Sequence, residues 1–470
     1  MERISKGLLA TAVSVALGAP VVAHATNGMN LEGYGPIAAG MGGASMAYDN
    51  GTAAVMNNPA TLGLMSEGNR LDFAIGVLGP DVGADMGPMS WDSDGDAYYM
   101  PAVGWARKAG RFTYGLGAFA QGGMGTEFDG GGPGTAGVQG LMGMMAENPS
   151  SVAHWDERSE VGVLRVILPL AFDVNDSLTV AGSIDYVRAN MDLQMAMPAS
   201  VMGDMMMNPN STVGSITGSL ATALPTMIGG AANLRGGYFD FSDGSDYTGE
   251  TDGDGFAAKL GFVYQINPQL ALGGTYHSET DLDDLEGNAT MEVAHAGGVV
   301  PVNGKISIKN FQWPETYGLG LAYQASDRLM VAADVKRIHW SDVMKDFKMS
   351  FESAMGNLDA VMFQNWDDQT VYQLGVAFKA TDAITLRAGA NISDNPIPDS
   401  TVHYLFPAIV EEHYTFGIGY DIPDNGEINF SITYAPEVKV TNSGNPADPN
   451  DDLDITHSQL NWQLMYSHSF

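Results

Sequence analysis

Short runs along most of this chain alternate between large apolar residues and small or polar ones. In the run 71–75, Leu71, Phe73 and Ile75 share one side, whereas Asp72 and Ala74 share the other. The same alternation recurs at 112–118, 164–170, 270–277, 317–323, 372–378 and 428–434. Side chains two apart lie on the same face of a β-strand. The pattern therefore predicts an all-β protein whose strands have one apolar face and one small or polar face.

The connections between these runs alternate strictly between tight turns and long segments. The tight turns are expected at 108–110, 174–176, 266–268, 325–327, 380–382 and 423–426. The long segments are expected near 79–95, 123–156, 196–253, 280–312, 352–368, 395–410 and 437–457. A soluble β-sandwich does not require this alternation, whereas an outer-membrane barrel has short periplasmic turns and long extracellular loops. We therefore predict a transmembrane antiparallel β-barrel of about fourteen strands over 68–470, an even number as such barrels require.

The stretch 26–67 does not alternate and is rich in glycine and alanine. We interpret it as a hatch, or plug, inside the lumen of the barrel. Within it, Asn58, Pro59 and Ala60 are expected to form a turn, because Pro59 fixes its own φ and disfavours helical geometry at Asn58. The Asn58 amide is expected to bond to the wall, and movement of this motif is expected to contribute to gating.

The first 25 residues have the features of a signal peptide. Arg3 and Lys6 give a positive start, 8–22 is apolar, and 23–25 is a small-x-small cleavage site. An uncleaved anchor helix is the alternative, but the apolar run is short for a membrane span. We therefore expect export, and residence of the mature chain in the bacterial outer membrane among its lipid and lipopolysaccharide.

Composition narrows the functional classes. The 470 residues carry a formal net charge of −34 and include no Cys, which excludes disulfides and Cys-based sites. No basic stripe is available for nucleic acid. The acidic strings 92–96 and 252–255 lack the closing Glu of an EF-hand. We predict no metal, no cofactor and no nucleic-acid partner, with divalent cations in the acidic loops as the alternative.

The last run, 459–470, has an apolar face with aromatic residues near both ends. Trp462, Tyr466 and Phe470 share this face with two leucines, and such aromatics suit the two membrane interfaces. A final strand ending in Phe470 resembles the signal that outer-membrane barrels present to the barrel-assembly machinery. An ordinary edge strand is the alternative. We expect a monomer.

An ordered set of motifs resembles the FadL/TodX family of outer-membrane transporters of hydrophobic compounds. Asn58-Pro59-Ala60, preceded by a glycine-rich run at 40–44, is the first of these motifs. The C-terminal half adds 313–315 (WPE), 318–320 (GLG), 339–341 (HWS), 386–389 (LRAG), 395–399 (NPIPD) and 417–420 (GIGY). The loops 123–156 and 196–253 resemble that family only in their general character and not in such motifs.

The resemblance implies a function as well as a fold. It implies passive uptake of hydrophobic compounds, with long-chain fatty acids as the first expectation and aromatic or alkane hydrocarbons as the alternative. Such substrates are expected to land on an apolar extracellular groove, enter a pocket in the lumen and leave sideways through the wall at a kinked strand.

Methionines in the long loops are candidates for the landing groove. They are Met142, Met144, Met145, Met202, Met205, Met206 and Met227. Methionine is flexible and polarizable and suits varied apolar ligands. The alternative is that these loops pack a small core of their own.

Other candidates lie on the strands. Alternation points Arg165 and Lys336 into the lumen, where a base can bind a fatty-acid carboxylate through a charge-assisted hydrogen bond. The alternative is that inward acids and bases pair to hold the wall and the hatch together. Candidates for the lateral gap are Gly115, Gly117, Gly122 and Gly123. Glycines weaken a strand and permit kinks, although barrel curvature explains them equally well.

Two other classes are disfavoured. No nucleophile elbow occurs, and none of the 9 His lies in a motif that suggests a Ser partner, so we do not expect an outer-membrane lipase or any other enzyme. A general porin requires an open, strongly charged lumen, whereas the inward face predicted here is small and is covered by a hatch.

Overall fold

A computed structural model describes residues 27–245, 248–443 and 452–470. The predicted signal peptide, 1–25, lies outside these residues. The first strands are β1 (Gly68–Leu78), β2 (Pro80–Met86), β3 (Met89–Asp92), β4 (Tyr98–Ala109), β5 (Phe112–Phe128), β6 (Glu157–Asn175), β7 (Leu178–Pro198), β8 (Gly214–Thr217), β9 (Leu234–Phe241), β10 (Thr251–Asn267) and β11 (Leu270–His277). The others are β12 (Asp281–Leu282), β13 (Leu285–His295), β14 (Gly298–Lys309), β15 (Thr316–Ser326), β16 (Leu329–Ile338), β17 (Asp346–Ser353), β18 (Gly356–Phe363), β19 (Gln369–Lys379), β20 (Ile384–Ser393), β21 (Glu412–Ile422), β22 (Gly426–Thr441) and β23 (Asp454–Ser469).

Helices are short and lie before the first strand or in the long connections. The α-helices are α1 (Pro36–Ala39), α2 (Pro133–Met144), α3 (Ala199–Met207), α4 (Ser219–Met227) and α5 (Trp340–Val343). The 3₁₀ helices are Gly51–Val55, Pro59–Leu64, Pro149–Val152 and Ala231–Asn233. Within the described ranges, no helix combines the length and apolarity needed to cross a bilayer.

The strands form one closed antiparallel barrel, as predicted. The ladder runs β1–β4–β5–β6–β7–β10–β11–β15–β16–β19–β20–β21–β22–β23. It closes where β23 pairs with β1, from Arg70 opposite Ser469 to Val77 opposite Trp462. In hydrocarbon an open edge would leave backbone groups unbonded, so closure is what permits a membrane position.

The strand count is larger than the sequence predicted. At one rim β7 pairs with β9, β9 pairs with β13, and β13 meets β10 at Asp252 opposite Glu286. The ring counted through these two extra strands has sixteen members, not about fourteen. The sequence prediction missed them because it assigned 196–253 and 280–312 to loops. Below this rim, β7 pairs directly with β10.

Short and long connections lie at opposite ends of the barrel. Each predicted tight turn falls at a short connection, such as β4 to β5, β6 to β7 and β10 to β11. At the other end the ladder continues from β13 beyond the ring through β14, β17, β18 and β8. We call the end with the short connections the turn end and the end with the long connections the loop end.

The apolar faces point outward. Leu168, Leu319 and Tyr372 are 60%, 54% and 57% exposed, whereas the inward Arg165 and Asp334 are buried. A soluble sandwich would bury its apolar faces instead, so this surface fits membrane hydrocarbon.

Residues 27–67 are buried against the inward face of the wall, except for a few positions such as Asp49 and Leu64. Their hydrogen bonds reach β1, β10, β16, β19, β22 and β23. Because these strands lie on different sides of the ring, the segment occupies the space that the strands surround.

The outward face generates a stability prediction. Leu319 lies in the apolar band of β15, between Tyr317 and Tyr323. Leu319→Lys is expected to cost ~2–4 kcal/mol, because the ammonium replaces an alkyl group in hydrocarbon. Reversible unfolding in lipid vesicles measures this cost. Met355→Lys, at the exposed turn between β17 and β18, is the control and should change stability little; equal losses in both variants would refute the outward orientation.

Candidate transport site

Buried carboxylates of the wall bind the backbone of the N-terminal segment. Asp334 Oδ2 accepts hydrogen bonds from the Ser45 and Met46 amides at 2.6 and 3.1 Å. On the other side, Asp72 Oδ2 accepts from the Thr52 amide at 2.7 Å. The segment has little secondary structure with which to satisfy its own amides, so these bonds hold it in place.

The predicted turn at Asn58 is confirmed, and it bridges to the wall. Asn58 Oδ1 accepts from the Ala60 amide at 3.1 Å and caps the 3₁₀ helix that starts at Pro59. Its Nδ2 donates to the carbonyl of Met46 at 2.7 Å and to that of Phe262 on β10 at 3.1 Å. The side chain rests over Gly261, where any Cβ would overlap with Asn58 Oδ1.

A cavity lies between this segment and the wall. Its lining includes Tyr34, Arg165, Lys259, Trp313 and Lys336. Its volume is about 40 Å³, whereas an apolar cavity of ~150 Å³ is known to bind benzene. The cavity in this structure is therefore smaller than one that holds benzene.

The two predicted bases differ in their partners. Arg165 Nη1 lies 3.0 Å from Asp185 Oδ2, and its Nε donates to Gln121. Lys259, an inward base that was not one of the two first choices, pairs with the same carboxylate. Arg165 therefore follows the alternative interpretation, in which inward charges pair. Lys336 has no hydrogen bond or ion pair with any of the described residues, and the Asp334 and Glu32 carboxylates attract its charge only from beyond ion-pair distance. Its ammonium therefore keeps donors for a ligand.

The wall is irregular on β5. The pairing of β5 with β6 shifts register between Ala120 and Gly122. The pairing with β4 ends at Ala102 opposite Phe119, among the described residues. Gly122 has φ +146°, and a Cβ there would overlap with the Met29 carbonyl. The kink thus needs glycine at Gly122 and is in contact with the N-terminal segment.

The other glycine candidates are placed differently. Gly115 and Gly117 lie where β5 is paired with β4, and added Cβ atoms would meet Trp105 and Phe119 respectively. Gly123 follows the kink and packs on the Val161 carbonyl. Only part of the predicted glycine set therefore lies at the irregularity.

Three residues at this site were not singled out from the sequence. Asn30 Oδ1 accepts from Trp313 Nε1 at 2.7 Å, and Asn30 forms an isolated β-bridge with Gly122. Gln121 occupies the register shift itself. Trp313 was noted only as the start of the 313–315 motif, and single Asn and Gln residues carry no period or motif, so only the folded chain shows that the three lie together.

The methionine candidates do not form one surface. Met142, Met202 and Met205 are buried in the packed core of the loop end, as the alternative interpretation expected. Met206 and Met227 pack at its margin. Met144 and Met145, at the end of α2, are 80% and 54% exposed. Of the seven, these two are open to solvent.

These features define a class: a closed membrane barrel with an N-terminal segment in its lumen, a small cavity beside that segment and a kinked wall strand. Residues 12–467 match the family described as outer membrane protein transport protein (OMPP1/FadL/TodX). The chain belongs to this family, whose members are transport proteins of the outer membrane rather than enzymes.

Solved structures share the whole architecture. The toluene transporter TodX of Pseudomonas putida is 30% identical, with a TM-score of 0.80 over 94% of this chain and 99% of its own. The toluene transporter TbuX of Ralstonia pickettii is 30% identical, with a TM-score of 0.74 over 94% and 99% of the two chains.

Curated relatives match over shorter stretches. Outer membrane protein P1 of Haemophilus influenzae is 27% identical over 189 residues, which cover 40% of this chain and 39% of that protein. The chain spans about two fifths of the length of the curated relatives that it matches.

The bridge from the segment to the wall generates a prediction with a matched control. Asn58 and Asn148 both precede a proline and cap a 3₁₀ helix, but Asn148 lies at the loop end, where its hydrogen bonds to described residues are local, to Ser150 and Ser151. Each Asn→Ala variant loses a cap worth ~1 kcal/mol. Asn58→Ala also removes the Nδ2 donor from the Met46 and Phe262 carbonyls, and a buried carbonyl left without a donor costs ~1–3 kcal/mol.

Limited proteolysis and hydrogen exchange of 27–67 measure this difference. We expect the segment to become accessible in Asn58→Ala and to stay protected in Asn148→Ala. Equal protection in both variants would show that the Asn58 amide does not hold the segment.

Proposed function

We propose that this protein passively carries hydrophobic small molecules across the outer membrane. The observation that carries the proposal is the lumen cavity between the N-terminal segment and the kink of β5. In this proposal 26–67 is the hatch, 68–470 is the transporting wall, and 1–25 is a signal peptide removed on export. Asn58, Pro59 and Ala60 anchor the hatch, and their movement is part of gating.

The first candidate substrates are long-chain fatty acids. The ammonium of Lys336, which makes no hydrogen bond or ion pair within the described part of the chain, supports this choice, because a carboxylate would accept hydrogen bonds from it. Arg165 is the second candidate base, although a carboxylate would compete there with Asp185. The tail would lie along the apolar part of the lining.

Aromatic or alkane hydrocarbons are the second candidate substrates. The similarity to TodX and TbuX, both toluene transporters by description, supports this alternative. Trp313 and Tyr34 also give the cavity aromatic surface. A neutral hydrocarbon would leave Lys336 without a partner, so substitution of this base separates the two substrate classes.

The proposed route begins at the loop end and leaves through the wall. Met144 and Met145 are the accessible landing residues, and the buried methionines support the loops that present them. The exit is the interval where β4 and β5 are unpaired, between Phe119 and the loop end, beside Gly122 and Gly123. We further propose a monomer surrounded by lipid and lipopolysaccharide and assembled through the final strand ending in Phe470.

Lys336→Met tests the substrate class. Loss of a charged hydrogen bond worth ~1.5–3 kcal/mol predicts roughly 10- to 100-fold weaker binding of oleate. Toluene uptake should stay unchanged. Binding of labelled oleate to purified protein, with uptake of both compounds by cells, gives the comparison.

Arg337→Met is the control, because Arg337 is the next residue but is exposed on the opposite face of β16. Its oleate affinity should equal that of the unchanged protein. Lys336→Met with full oleate affinity and unchanged uptake would remove Lys336 from the site.

The double variant Met144→Ser/Met145→Ser tests whether these two side chains bind the arriving substrate. Lost apolar contact is worth ~0.8 kcal/mol per CH₂, so the apparent KM for uptake should rise about fourfold or more, with the maximal rate unchanged. Met355→Ser, another exposed loop methionine, should behave like the unchanged protein. A KM that rises equally in both variants would count against a specific landing surface at α2.

A further inference from the structure

A second cavity lies beside the first. It is bordered by Met100 and Ala102 of β4, Phe119 and Ala120 of β5, and Trp462 of β23. Its volume is about 30 Å³, and its lining is mostly apolar. Ala102 and Phe119 are also the last pair of the β4–β5 ladder, so this cavity reaches the place where the wall is unpaired. We call it the outer chamber, and the cavity at Lys336 the inner chamber.

The two chambers share only Leu31 and Tyr34 among their lining residues. Both belong to the N-terminal segment, and both are buried. A molecule that moves from Lys336 toward the end of the β4–β5 ladder must therefore pass these two side chains. Leu31 is purely apolar, so Tyr34 alone has a polar group that fixes its position.

Tyr34 is tied to the kink of β5. Its Oη donates to the backbone carbonyl of Gln121 at 2.6 Å. Gln121 is the residue at the register shift, so this carbonyl has left the regular ladder. Burial raises the pKa of the Tyr34 hydroxyl above its ordinary value, against the opposing charge of Arg165. The hydroxyl therefore keeps its proton and its bond to the kink.

We infer that Tyr34 is the gate between the inner and outer chambers, held shut by its hydrogen bond to the Gln121 carbonyl. Rotation of the ring away from this carbonyl would join the two chambers and add to them the space that the ring now occupies. The inference rests on the proposed transport function and adds to it the residue that separates pocket from exit.

Tyr34→Phe is the direct test, because it keeps the ring and removes only the hydroxyl. The acceptor is a backbone carbonyl, so no side-chain substitution at Gln121 removes the same bond. Tyr48→Phe is the matched control: Tyr48 is also buried in the segment, but its Oη donates to Ala44 within the segment itself.

Uptake of labelled toluene and oleate is measured in cells that lack other transporters of this family and express each variant at equal outer-membrane level. We expect Tyr34→Phe to raise the initial rate about two- to tenfold, the range for loss of one neutral hydrogen bond. Tyr48→Phe should leave the rate unchanged. Rates for Tyr34→Phe that equal or fall below those of the unchanged protein, or an equal rise in both variants, overturn the gate.

A second pair of variants tests the outer chamber without touching Tyr34. Ala102→Leu fills that chamber and should lower uptake at least about threefold. Ala106→Leu, which is buried on the same inward face of β4 but outside the chamber, should not lower it. Equal uptake in this pair removes the outer chamber from the route. If the unchanged protein takes up neither compound, the transport function itself fails, and this outcome is distinct from a failure of the gate alone.

Discussion

The structure depends on one requirement: backbone amides and carbonyls cut off from water must have hydrogen-bond partners. In the wall, outside the interval where β4 and β5 are unpaired, a closed ladder meets this requirement, since β23 returns to pair with β1. In the lumen, residues 27–67 have only short helical turns, so the wall must supply partners. Asp72, Asp334 and Asn58 bind the backbone across this interface. The same physics therefore closes the barrel and holds the segment inside it.

The kind of bond that holds the segment is compatible with the movement that we propose for it. Its links to the wall are individual side-chain hydrogen bonds, each worth only ~0.5–1.5 kcal/mol net, or somewhat more where a charge is involved. They can be exchanged for bonds to water or ligand one at a time, unlike a strand ladder, which opens cooperatively. A wall of paired strands around a segment held by separate bonds suits a transporter whose lumen must open without loss of the barrel.

Charge in the lumen is distributed unevenly. Asp185 pairs with both Arg165 and Lys259, while Lys336 lines the cavity without a hydrogen bond or ion pair to any residue that the structure describes. On the other side of Tyr34, the lining of the outer chamber is mostly apolar and includes Met100 and Phe119. An amphipathic ligand would therefore meet a basic site first and an apolar site next, and the kink of β5 lies where the second site ends.

The sequence by itself determined the strand periodicity, the alternation of turns and long connections, and the inward direction of Arg165 and Lys336, because all three follow from local period-two geometry. It also determined the Asn58 turn, since the proline restricts its neighbour directly. Tertiary structure alone decided that β9 and β13 join the ring, that Arg165 is paired and Lys336 is not, and that Met142 and Met202 are buried. It alone placed Tyr34 against Gln121, 87 residues away along the chain. Such contacts depend on strand register and on which distant segments meet, and a local pattern carries no information about either.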